Sequence, residues 1–191
     1  MSAWSLPTTA TVDGKETPIR SDFRAVLDAL AALDDLDLTM PERAAACVRI
    51  LYPEWKDIQD WDGAFKAAME FINLGEPTPA NQPPKPKLVD WTKDAGLIAP
   101  AIDAVLGYSC RRCDYLHWWE FIGAYSSIGR GLFATVVGIR SKRIKGQKLE
   151  KYEQEFVRDN PDLISTAPTL TSEEQAFFER LGDVYKRQYK G

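Results

Sequence analysis

The chain is poor in the residues on which much site chemistry depends: it has one histidine and three cysteines, and its formal charge is −4. A single imidazole cannot build a histidine metal cage. An odd number of cysteines, with neither a basic leader nor an apolar stretch over Met1–Leu6, speaks against a secreted disulfide scaffold, so a reducing cytoplasm is the expectation. The longest apolar stretch, Gly131–Ile139, falls far short of the ~20 residues that a membrane helix needs, and no membrane partner is expected. The acidic balance opposes a domain-wide grip on nucleic acid or anionic lipid. No phosphate-cradling G-x-x-x-x-G-K-[ST] loop is present, and Gly129-Arg130-Gly131 is too short to be more than a turn.

What remains is an ordinary globular composition: 191 residues, 45% hydrophobic and 27% charged. At this length folding buries roughly 70% of the surface of the unfolded chain, enough for a core without staples. Asp13-Gly14 supplies the two left-handed positions of a type I′ turn, which predicts a short N-terminal β-hairpin with Pro7 and Pro18 confining it to an edge. Helical signals follow. Ser21 or Asp22 can cap a helix carrying Phe23, Val26, Leu27, Leu30 and Leu33 at helical spacing. Thr39-Met40-Pro41-Glu42 is a capping box with a first-turn proline, opening a helix that Pro53 ends after Tyr52. Asp60 caps a third, stopped by Gly75.

Five prolines between Glu76 and Lys87 exclude helix and interior strand and predict a stiff extended linker. Beyond it, Asp90 is expected to cap a fourth helix, kinked near Ala99 by Pro100 and closed by Gly107. Asp114–Tyr125 reads as the most apolar helix, and Leu132–Gly138 as a short one before a basic cluster from Arg140 to Lys151. Another helix runs to about Asn160. The fold class expected is all-α, six or seven helices with a small N-terminal hairpin, as a single domain over 1–160 (front half 1–75, linker 76–87, back half 88–160). A C-terminal extension, 161–191, adds one helix opened by Thr171-Ser172-Glu173-Glu174. Within it Gly182–Gln188 reads as translated adapter sequence, so that this last helix is expected to be partly artefactual.

Three groups of residues invite a chemical reading. Cys110-Arg111-Arg112-Cys113 with His117 has thiols beside two arginines, and Cys47 or Asp114 could complete a zinc set, yet one C-x-x-C without a second pair is weak, and unligated thiols are preferred. His117 as a general base would need Glu120 or Ser126 as helpers; a structural bond to an acid or carbonyl is preferred. The basic cluster could touch phosphate, although a solvated helix entrance is the plainer reading. No catalytic residue, cofactor or metal is assigned.

Several segments taken together resemble the bacteriophage gene product fifteen family. They are Leu6-Pro7 with Asp13-Gly14-Lys15, Ser21-Asp22-Phe23-Arg24, Phe71-Ile72-Asn73-Leu74-Gly75, and Asp90-Trp91 with Asp94. The most telling are Tyr115-Leu116-His117-Trp118-Trp119-Glu120-Phe121 and Gly138-Ile139-Arg140-Ser141-Lys142. Where the family carries a Tyr-Gly-Ile-Asp-like stretch, this chain has Gly107–Cys113. The resemblance implies a non-enzymatic, chaperone-like role in tail assembly inside a bacterial host. It also implies the tape-measure protein, or another tail protein, as partner, with self-association along that client as a further expectation.

A helical protein with an apolar groove could shield a long amphipathic rod, and Trp and Tyr dominate binding energy at such surfaces. The expected partner-binding residues are Tyr115, Trp118, Trp119, Phe121 and Tyr125, with Arg140 and Lys142. The competing reading for Trp118 and Trp119 is core packing, whereas Tyr125 is expected to be removable without unfolding the chain. The alternative function is a nucleic-acid or packaging accessory using Arg140, Lys142, Arg143, Lys145 and Lys148.

Overall fold

The computed structural model describes residues 4–77 and 87–165. Most of the proline-rich linker lies outside these residues, and so do the tail helix and Gly182–Gln188. Among the described residues there are a two-stranded hairpin and eight α-helices, so the protein is mainly α-helical. No helix among them is long and apolar enough to cross a membrane. The chain divides into two compact units. One holds residues 4–77 and Tyr115–Glu120; the other holds 87–114 and 121–165.

In the first unit β1 (Thr9–Val12) pairs antiparallel with β2 (Lys15–Pro18), Val12 opposite Lys15 and Thr9 opposite Pro18. The turn is the one that the sequence dictates: Asp13 and Gly14 take φ of 52° and 71°. Three helices follow, α1 (Phe23–Asp34), α2 (Met40–Leu51) and α3 (Trp61–Ile72). Their caps are local. The Asp22 carboxylate accepts from the Arg24 N–H, Glu42 accepts from both the N–H and the hydroxyl of Thr39, and Asp60 accepts from the Gly63 N–H. The helices pack in sequence, α1 on α2 and α2 on α3, with β1 against α3. Val26, Ala29, Cys47, Leu51 and Tyr52 are fully buried, and the Tyr52 hydroxyl donates to the Ala64 carbonyl at 2.9 Å. A phenol buried so deeply needs such an acceptor.

In the second unit α4 (Ala95–Leu106) begins four residues later than a cap at Asp90 predicts. The Asp90 carboxylate accepts from the Thr92 and Lys93 N–H groups and so closes a separate turn first. Pro100 is accommodated on the exposed side of α4, and Gly107 ends it in the left-handed region. α6 (Leu132–Ile144) runs through Gly138 into the basic cluster, so that Arg140, Lys142 and Arg143 lie at the end of this helix and Lys145, Lys148 and Lys151 beyond it. Cations suit that end, since the helix dipole is negative there.

α7 (Lys151–Asp159) and the single turn α8 (Pro161–Ile164) complete the unit. Val136, Ile139 and Ile164 form its buried centre, with Leu97, Phe156 and Leu163 packed around them. α5 (Trp118–Ser126) starts in the first unit and ends in the second.

Candidate functional site

The aromatic segment was expected to be helical from Asp114. It becomes helical only at Trp118, because its preceding backbone is engaged elsewhere. Leu116 accepts from the Phe23 N–H through its carbonyl at 3.0 Å, and the Trp118 N–H donates to the Ser21 carbonyl at 2.8 Å, an antiparallel bridge between Asp22 and His117. The same Asp22 that caps α1 also accepts from the Leu116 N–H, at 3.2 Å, while the Ser21 and Tyr115 hydroxyls share a hydrogen bond of 2.8 Å.

His117 is 1% exposed and both ring nitrogens are used. Nε2 lies 2.8 Å from the Pro7 carbonyl, which can only accept; Nδ1 accepts from the Trp119 N–H at 3.0 Å. These partners require the proton on Nε2 and a bare Nδ1. The imidazole thus caps the first turn of α5 while fastening the segment before β1. It is a structural histidine, with no lone pair left for a substrate or a metal.

Trp118 and Trp119 finish α3. The Trp118 indole N–H donates to the Ile72 carbonyl and that of Trp119 to the Phe71 carbonyl, both at 2.9 Å. These belong to the last turn of α3, where carbonyls lack helical partners. Leu74 and Gly75, at φ of 63° and 84°, turn the chain away, and a Cβ on Gly75 would come within 3.4 Å of the Trp119 ring. Phe71 stacks at 6.2 Å on Trp119 and edge-on at 5.7 Å to His117.

Of the residues expected to contact a partner, Trp118 and Phe121 are each only 2% exposed and belong to the packing. Trp119 and Tyr125 are half-buried, and Tyr115 is 53% exposed. Tyr125 lies 5.0 Å from Trp91 and 5.7 Å from Phe133, so its ring takes part in the second unit's packing.

Two of the basic residues, Arg140 and Lys142, are likewise engaged. Arg140 is 2% exposed, and it joins Asp94 through two parallel bonds of 2.6 and 2.9 Å. It also donates to the carbonyls of Leu88 and Leu163. Burial alone would raise the Asp94 carboxyl, but the bonds from Arg140 and from the Asp90 N–H outweigh it and hold Asp94 below its usual range. Lys142 donates to both oxygens of Glu153, at 2.8 and 2.9 Å; the bond lifts the ammonium above its ordinary value and lowers the carboxyl. Arg143, Lys145 and Lys148 remain exposed.

In the cysteine motif the two neighbouring arginines do not acidify Cys110. Burial, then the adjacent Asp103, pushes the Cys110 thiol up to about 11. Asp103 accepts from the Cys110 N–H at 2.7 Å, and Arg111 sends its guanidinium to the Ala95 carbonyl instead. Cys47, pushed up to about 12 by burial, lies in the other unit. Among the described residues no three of His, Cys, Asp and Glu are grouped to hold a metal.

The motifs that carried the sequence resemblance therefore meet one another. Pro7, Ser21-Asp22, Phe71-Ile72 and Tyr115–Trp119 interlock in the first unit; Asp94 and Arg140 do so in the second. Those long-range bonds had no local signal in the sequence, although the co-occurrence of the motifs hinted that they share a purpose. No curated protein and no solved structure matches the chain. The family described as Bacteriophage Gp15 protein matches residues 4–162, nearly all that the structure describes, and the chain belongs to that family.

Proposed function

We propose that this protein is a non-enzymatic assembly factor of a phage tail, which covers apolar stripes of the tape-measure protein until the tail tube encloses them. The observation that carries the reading is membership of a bacteriophage family over residues 4–162. The geometry supplies support of a second kind: the conspicuous polar and aromatic residues are consumed by bonds that hold the fold, while large apolar side chains stand in solvent. In the first unit these include Leu36 at 60% and Tyr115 at 53% exposure; in the second, Leu132 at 52% and Tyr152 at 63%. Exposed apolar side chains of this kind suit reversible cover for an amphipathic helix.

Tyr115 is the best anchor among the residues named from sequence, because its hydroxyl is fixed by Ser21 while its ring is half in solvent. Coexpression with a tape-measure protein encoded beside this gene tests the proposal. The rod should become soluble in a complex with the chain, and Y115A should reduce capture by about tenfold while Y115F retains it. A rod that precipitates equally with and without the chain overturns the reading.

A further inference from the structure

Cys110 and Cys113 share one turn of chain just beyond α4, inside the second unit. The Ser109 carbonyl accepts from the Arg112 N–H at 3.1 Å and from the Cys113 N–H at 3.3 Å, so residues 109–113 coil through a single helical turn. The Cys113 thiol folds back within this turn and donates to the Cys110 carbonyl at 3.1 Å. Side chains three apart on a helical turn have Cβ atoms about 5–6 Å apart, and a disulfide needs them about 3.5–4.5 Å apart. A tightening of roughly 1–2 Å therefore allows the two sulfurs to bond.

The two thiols are not equally open. Cys113 is half-buried, whereas Cys110 is 1% exposed. A dissolved oxidant meets Cys113 first. Asp103, in the last turn of α4, accepts from the Cys110 N–H at 2.7 Å, and its carboxylate also bonds the Cys110 thiol and the Ser109 hydroxyl. A carboxylate that accepts from S–H favours the thiol over the thiolate, so it works with burial to keep Cys110 protonated; Arg111 pulls the other way, and Cys113 is the remaining titratable neighbour. Shut off from solution, Cys110 needs only to reach a sulfur in its own turn, and that proximity replaces an encounter by diffusion.

We propose that Cys110 and Cys113 form a thiol–disulfide exchange site for a low-molecular-weight disulfide, with Asp103 as a positioning residue that holds the pair in its dithiol form. The Cys113 thiolate attacks one sulfur of the small disulfide, whose S–S bond breaks; a mixed disulfide forms on Cys113 and one small thiol leaves. Cys110 then gives its proton to solvent, attacks the Cys113 sulfur and expels the second small thiol. Two cysteine thiols are oxidised to one disulfide, one small disulfide is reduced to two thiols, and those two thiols carry the two protons. The site does not depend on the assembly reading, and it is tested on the chain alone, so that either can fail without the other.

The experiment exposes the full chain to excess oxidised glutathione, blocks the remaining thiols with N-ethylmaleimide at timed intervals, and maps the products by mass spectrometry. Trypsin cuts after Arg111 and Arg112, so a bridge appears as two peptides that separate only on reduction. The expected result is a fall from three free thiols to one, with Cys47 the survivor. In C110S glutathione should accumulate on Cys113, and in C113S Cys110 should take it up at least about tenfold more slowly. D103N keeps an oxygen for the Cys110 N–H but removes the charge, so closure should be several-fold faster and its pH profile should move to lower pH. A native chain that keeps three thiols, or bridges only in urea, overturns the site. Equal uptake by C110S and C113S overturns the order of attack, and a pH profile unmoved by D103N overturns the part given to Asp103. The wild-type thiol count decides the site even if a variant fails to fold.

Discussion

The two units solve the same problem with opposite chemistry. Each must hold a segment remote in sequence against its helices through buried polar groups. The first does so mainly with neutral groups: an imidazole and two indoles deliver one bond apiece to carbonyls at 2.8 to 2.9 Å, beside the Asp22 carboxylate that accepts from the Leu116 N–H. The second relies on a buried ion pair, Arg140 with Asp94, whose guanidinium also donates to the carbonyls of Leu88 and Leu163. The neutral knot leaves no donor over. The ionic clamp leaves one, the buried Arg140 Nε–H.

Removing the cation should have the largest effect. R140M strands Asp94 in the interior, and the cost of breaking a buried pair by removing one partner is about 3–5 kcal/mol. Denaturant unfolding of the full chain measures it, and a loss below about 1 kcal/mol would mean that the clamp holds little. In the neutral knot, W118F keeps a ring but leaves the Ile72 carbonyl without the indole bond, an expected loss of about 1–3 kcal/mol. If it equals R140M, the contrast between the units fails. G75A is smaller, about 1–2 kcal/mol for a Cβ in the left-handed region, and tryptophan fluorescence should report it because the added carbon meets Trp119.

The gentlest probe is acid. Asp94 titrates below the ordinary aspartate value of 3.8 in the folded state, so its contribution is complete above about pH 4 and is lost as pH falls through the lower, folded-state value. Glu153 and Asp103 are depressed in the same direction, Glu153 by Lys142 and Asp103, against its own burial, by Cys110. Amide exchange should therefore loosen around α4 and α6 as pH falls below the ordinary aspartate value, and D94N should shrink that step. A step that D94N leaves unchanged would mean that Asp94 does not carry it.

Local chemistry was legible from the residues alone. Asp13-Gly14 forced the hairpin, Asp22, Thr39 and Asp60 opened their helices, and Gly107 closed another, because each decision is made within four residues. The late start of α5 was not legible. What delays it is Ser21-Asp22-Phe23, more than ninety residues away in sequence, and no periodicity carries that information. The same reason hid the indole bonds to α3 and the burial of Arg140. Its i+2 neighbour Lys142 looked equivalent in the sequence, and only packing separates a 2% exposed guanidinium from a half-exposed ammonium. α6 was cut short at Gly138 because glycine usually weakens a helix, whereas here the helix carries it on an exposed face.

The sealed imidazole has a practical consequence. The chain holds one histidine, and at 1% exposure it is shut away beneath Pro7 and the first turn of α5. A histidine-selective acylating reagent can mark this molecule only in the moments when that stretch lifts off. The rate of labelling is then a clock for those openings, readable by mass spectrometry without any engineered tag.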